Sequence, residues 1–148
     1  MFGKLIKTSD DPVALLLRLT LGVVIFPHGA QKLLGWFGGP GYGGAIQFFT
    51  QQLHIPALFA VLAIVAEFAG SLGLLSGFLT RIAAFGILCN MLVATYMVHF
   101  ANGFFMNWYG TQKGEGFEYH ILAAGLAIAI MIRGGGAASV DRALSKSA

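Results

Sequence analysis

Four long apolar segments, at about 12–35, 55–77, 80–101 and 117–132, constrain this chain more than any other feature. The first three come close to the roughly 20 residues that a helix needs to cross a bilayer, and the fourth is shorter. Charged residues make up only 10% of the 148 and hydrophobic ones 57%, against about 25% charged in soluble domains. That deficit reads as an integral membrane protein, with one domain over residues 1–148. Nothing between the segments reads as a strand. The expected fold is all-α: a four-helix transmembrane bundle, antiparallel and up-down.

Local signals mark the helix ends. Pro12 and Pro56 suit first turns, and Gly134-Gly135-Gly136 stops the fourth segment ahead of a tail at 133–148. The connection at 75–81 is short, so the second and third helices are expected to be neighbours. Thr80 is the expected N-cap of the third. Small residues four apart, Ala66 with Gly70, Gly73 with Gly77, and Ala123 with Ala127, would let backbones approach closely in lipid. The first segment is too long for a signal-peptide core and no A-x-A site follows it, so it is expected to remain as a helix.

An even number of spans puts both termini on one side. Lys4, Lys7, Arg81, Arg133, Arg142 and Lys146 fall at that side, and Lys32 and Lys113 at the other. The basic excess places the termini in the cytoplasm. Loops at about 36–54 and 102–117 then face outward. The glycine strip at 38–44 lacks the Lys-Ser/Thr of a phosphate loop and has no strand before it. Residues 45–54 carry Ile46, Phe49 and Leu53 at helical spacing, so a short interfacial helix is expected in this loop. Trp36, Phe104, Phe105, Trp108 and Tyr109 read as an outer aromatic belt, or as a lid over a pocket.

Charge inside these segments points to function. Glu67 sits near the middle of the second. A carboxylate at bilayer centre costs on the order of 3 kcal/mol even on the lenient insertion scale. Arg18, inside the first segment, is its expected partner. On a helical wheel Arg18, His28 and Lys32 fall within about 80° of one another and form a polar stripe. His99 lies near the outer end of the third helix, Asn90 near its middle, and Glu118 and His120 open the fourth. Glu118 and His120 point about 200° apart, so only one can face the core. Glu118, at the helix mouth, is the stronger candidate. Together these residues describe an outward-opening polar funnel with a charged floor.

Each also has a structural reading. Arg18 and Glu67 can be an ion pair tying two helices, although a pair in hydrocarbon is weak evidence for stability alone. Lys32 can snorkel to headgroups, His99 can be an interfacial histidine, and Asn90 can bond between helices. Cys89 is the single cysteine, so neither an internal disulfide nor a CxxC redox pair can form. His28 and His99 would be the two imidazoles of a haem site, but Lys32 and Glu118 crowd the same level. Zinc lacks close ligand spacing, and no metal site is expected. A polar headgroup site needs no cofactor motif: His28 and Lys32 would donate to a quinone carbonyl or an oxyanion, and Glu67 or Glu118 would accept a proton. Net charge is only +3 and no basic cluster interleaves with aromatics, so nucleic acid is not an expected partner.

The order of these residues resembles the DoxX family of small bacterial membrane proteins, over nearly the whole chain. The resemblance rests on Arg18-Leu-Thr-Leu-Gly22, His28-Gly29-Ala-Gln-Lys32, the Gly35-Trp-Phe-Gly-Gly-Pro40 strip and Glu67-Phe-Ala-Gly70. It continues in Gly77-Phe-Leu-Thr80-Arg81, His99 before a Gly-Phe-Phe loop, Glu118, and Ser139-Val-Asp141. It implies a four-helix bundle in the bacterial plasma membrane. It also implies similarity to the membrane subunit of a thiosulfate:quinone oxidoreductase, and a link to membrane oxidoreductase complexes and oxidative or thiol stress.

The expected function is a quinone-linked redox accessory subunit. Its ligand, a quinone or a small sulfur oxyanion, would sit near Arg18, His28, Lys32, Glu67, His99 and Glu118, with Glu67 as proton acceptor. A partner subunit would supply the electron-transfer centre, because no self-contained catalytic motif is present. Two alternatives stay open: a small-molecule or lipid binding or transport module, and a structural scaffold, either of them able to self-associate.

Overall fold

The computed structural model describes residues 2–146, and every regular element in that range is helical. Met1, Ser147 and Ala148, which belong to the expected domain and tail, lie outside the described residues.

After a short helix α1 (Phe2–Ile6), α2 runs over Pro12–Leu34. Asp11 caps it, its Oδ1 accepting from the backbone N–H groups of Val13 at 2.8 Å and Ala14 at 3.3 Å. Pro12 fits the first turn because no donor is needed there. Gly35, at φ 73°, ends it. Pro27 lies inside the helix and removes one backbone donor, one residue before His28. The expected loop helix is present but starts earlier, as α3 (Gly41–Gln47) continued by a π turn over Phe48–Gln52.

Helix α4 (Ala57–Ser76) follows Pro56 and stops at Gly77, φ 71°. Helix α5 (Thr80–Ala94) continues through a π turn (Thr95–His99) and a 3-10 turn (Phe100–Asn102). Helix α6 covers Glu118–Arg133 and α7 Val140–Lys146. Among the described residues three segments are long and apolar enough to cross a membrane: Pro12–Leu34, Ala57–Ser76 and Thr80–Asn102. Helix α6, at 16 residues, rises about 24 Å, less than the roughly 30 Å of bilayer hydrocarbon.

The four long helices pack in a ring, α2 on α4, α4 on α5, α5 on α6 and α6 back on α2. Leu21, Ile25, Leu74, Ile87, Met91, Ala123, Ala127 and Ile130 fill the space between them. The outside is apolar too: Leu16, Val23, Leu58, Phe85, Leu92, Leu122 and Ile132 are all exposed. A helix that is hydrophobic all round belongs in a hydrophobic solvent. Close approach is built on glycine where α2 meets α4, since a Cβ on Gly29 would lie 2.6 Å from the backbone N of Phe68.

One end of the ring carries α1 and α7 and is sealed. Buried Arg18, 1% exposed, spends its guanidinium on five carbonyl oxygens. Its Nε donates to Gly135, Nη1 to Leu74 and Leu75, and Nη2 to Ala137 and Ala138, at 2.8–3.2 Å. Two of these carbonyls end α4, where a helix leaves acceptors unpaired and its dipole favours a cation. The expected Arg18–Glu67 pair is therefore corrected: Arg18 lies opposite the last turn of α4, two turns from Glu67.

The capping of α5 is also corrected. Thr80 opens the helix instead of capping it, and the cap comes from far along the chain. Buried Asp141 accepts from Leu79 N at 2.8 Å, Thr80 N at 2.9 Å and Thr80 Oγ1 at 2.7 Å. Left-handed backbone at Gly77 and Leu79 (φ 47°) turns these donors toward the C-terminal segment. The residues expected to trail as a tail from 133 onward instead fold back, with Gly134, Gly135, Gly136, Ser139 and Asp141 all buried.

Candidate functional site

The other end of the ring, which carries the long loops, holds a cavity of about 310 Å³. Helix α2 contributes His28 and Lys32, α4 Ala63 and Glu67, α5 Asn90 and Met91, the π turn after α5 Val98 and His99, and α6 Tyr119 and His120. Phe48, Phe49 and Leu53 from the first loop, and Met106 and Glu115 from the second, line it as well.

Glu67 is 8% exposed and pairs with Lys32, Nζ to Oε2 2.6 Å. The lysine stem reaches inward from the last turns of α2, so the pair closes the α2–α4 side. Asn90 donates to the Ala63 carbonyl at 2.7 Å and ties α5 to α4, the interhelical bond expected of it. His99 Nδ1 lies 2.9 Å from the Glu115 carbonyl oxygen. A carbonyl only accepts, so Nδ1 carries the proton and a neutral ring presents Nε2 as an acceptor. The π turn that sets His99 is a local irregularity of the kind often found at functional sites.

The His99 and His120 rings lie 4.1 Å apart between centroids, tilted by 37°. Tyr119 stands beside both His120, at 5.2 Å, and His28, at 6.3 Å. His120 Nδ1 and the Tyr119 hydroxyl are buried without a hydrogen-bond partner among the described residues. Buried polar atoms are rarely left so, and each calls for an explanation. Among the described residues no group of three or more His, Cys, Asp or Glu side chains could hold a metal ion.

Of the six candidates read from sequence, His28, Lys32, Glu67 and His99 converge on this cavity, while Arg18 and Glu118 do not line it. Glu118 Oε1 instead accepts from Met106 N at 2.8 Å and Trp108 Nε1 at 3.1 Å, and so holds the second loop over the cavity mouth. The choice between Glu118 and His120 is reversed: His120 faces inward and is only 7% exposed. Tyr119 lies between Glu118 and His120 in sequence, but it has no charge to mark it. Of the aromatics read as a belt, Trp36, Phe104, Phe105, Trp108 and Tyr109 are exposed, outside the cavity.

Comparison with known proteins gives two matches. A family model described as DoxX matches residues 13–100. The inner membrane protein YqjF of Escherichia coli (strain K12) is 28% identical over 142 residues, covering 95% of this chain and 98% of that protein. No solved structure matches the chain.

Proposed function

The chain belongs to the DoxX family of membrane proteins, and we propose that it is a quinone-binding accessory subunit of a membrane oxidoreductase. The observation that carries this reading is the cavity itself. An ion pair, Lys32–Glu67, shares it with two buried polar atoms that lack partners among the described residues, His120 Nδ1 and Tyr119 Oη. A headgroup with carbonyl oxygens fits such a donor set. Tyr119 and the Lys32 ammonium donate to one oxygen, and His28, near Tyr119, to the same or a neighbouring one. Apolar Ile25, Met91 and Val98 take the ring faces.

Reduction of a quinone takes up two electrons and two protons. The chain's own part is to bind, to orient and to move a proton. Glu67 accepts each proton in turn from the open mouth of the cavity and passes it to a headgroup oxygen, and Lys32 holds its carboxylate in place. Electrons come from a partner subunit. The small sulfur oxyanion remains the rival occupant of the same donors.

In the bilayer the four long helices form an antiparallel up-down bundle spanning the membrane, as one domain, with α6 reached by local thinning. Basic residues Lys4, Lys7, Arg81, Arg133 and Arg142 put the end with the termini in the cytoplasm. The cavity then opens outward, with α3 and the exposed aromatics at the interface. The name of the Escherichia coli relative supports the inner membrane as the location.

The test is mass spectrometry of an organic extract from detergent-purified protein, wild type beside Glu67→Gln. A quinone near one per chain, lost in a folded Gln variant, is the expected result. No quinone in the wild type, or equal amounts in both, would sink the assignment.

A further inference from the structure

The cavity's volume, about 310 Å³, stands at the low end of the range for small-molecule sites, about 300–1,000 Å³. It has room for a headgroup but not for a headgroup with a long chain. Ile55, Ala63, Asn90 and Val93 form its wall between α4 and α5. The same four residues also line a second hollow, of about 910 Å³, on the outer face of α4 and α5. That groove runs on past Ala69 and Gly73 to Ser76 and Phe78. From Ala63 to Ser76 it follows about 20 Å of helix, more than half the roughly 30 Å of bilayer hydrocarbon. Its floor is closed by the close packing of α4 on α5: a Cβ on Gly70 would touch the Ala83 carbonyl at 3.5 Å, and one on Gly86 would lie 3.1 Å from the Ala66 Cβ. Large side chains such as Phe59 and Phe85 stand at its rims.

We infer that the ligand is a two-part amphiphile that enters sideways from the bilayer between α4 and α5, its polar head in the cavity and a single hydrocarbon chain in the groove. This rests on the headgroup reading above and adds the site of the chain. Two observations support it independently. The groove is continuous with the cavity through shared residues, and the cavity holds His120, 7% exposed, with an unpartnered ring nitrogen. Apolar area in the groove contributes affinity through the chain, and the polar end selects the head.

The test compares two probes on full-length protein in one detergent: a dimethoxy-methyl-benzoquinone without a side chain, and the same ring with a ten-carbon chain. The variant is Ala69→Phe, which fills the groove away from the cavity at an exposed position. Val65→Trp, at a site 49% exposed that lines the groove and not the cavity, is the second variant should the first misfold. Wild-type protein is expected to bind the chain-bearing probe at least ten-fold more tightly. Ala69→Phe is expected to lose that gain and keep its affinity for the bare ring. Equal affinities in the wild type, or a gain that survives the filled groove, would overturn the inference. A filled groove that leaves the gain intact but abolishes a dimer would assign the groove to a second copy instead. Failure of the headgroup reading is distinct: neither probe binds the wild type.

Discussion

At the scale of single residues, two charges buried in the same ring of helices do different work. Arg18 has five N–H donors and five carbonyl acceptors, which leaves none for a ligand. Arg18→Ala is expected to destabilise the protein by about 3 kcal/mol or more, because buried acceptors lose a charged partner. Arg18→Lys should recover only part of that, having three donors in place of a planar five. Thermal unfolding in detergent reads both, and an unchanged Tm for Arg18→Ala would remove the sealing role. The positions of Arg18 and Glu67 were legible as intramembrane charges, but their partners were not. Depth along a helix is readable from sequence, whereas the return of residues 134–141 over the helix ends is not. The same limit explains Glu118 and His120, since a helical wheel shows that they diverge without showing which one turns inward.

At the scale of elements, hydropathy located the four long helices, and proline and glycine marked most of their ends. What it could not show is that α5 is capped by a residue some sixty positions along the chain. Asp141 lies beyond α6, and no local pattern such as a capping box links it to Thr80. Asp141→Ala should cost about 2 kcal/mol, at the upper end for a lost N-cap, because Leu79 N, Thr80 N and the Thr80 hydroxyl all lose their acceptor. Hydrogen exchange at Leu79 and Thr80 should rise at the same time, and protection equal to wild type would contradict the cap. The π turn over Thr95–His99 was equally hidden. It holds one extra residue per turn, so the ideal wheel loses its phase where His99 meets His120.

At the scale of the whole molecule, the ring is closed at one end by the N- and C-terminal segments and hollow at the other. Glycine at position 29 and the small residues of α4, α5 and α6 bring the backbones together, and the polar side chains that remain are sorted by end: sealing contacts at Arg18, Arg81 and Asp141, and cavity contacts at Lys32, Glu67, His99 and His120. The proposed orientation rests on the basic residues and has its own check. In a Cys89→Ser background, Lys113→Cys should react with a membrane-impermeant maleimide in intact cells, and Lys7→Cys only after lysis. The reverse pattern would turn the cavity toward the cytoplasm.

The most direct measurement is the affinity of the bare benzoquinone ring for three folded variants side by side: Glu67→Gln, His120→Ala and Glu118→Gln. Glu67 and His120 line the cavity and Glu118 does not. The first two variants are expected to bind at least ten-fold more weakly than wild type, and the third within about two-fold of it. Full affinity in His120→Ala, or a loss in Glu118→Gln as large as in Glu67→Gln, would contradict the site.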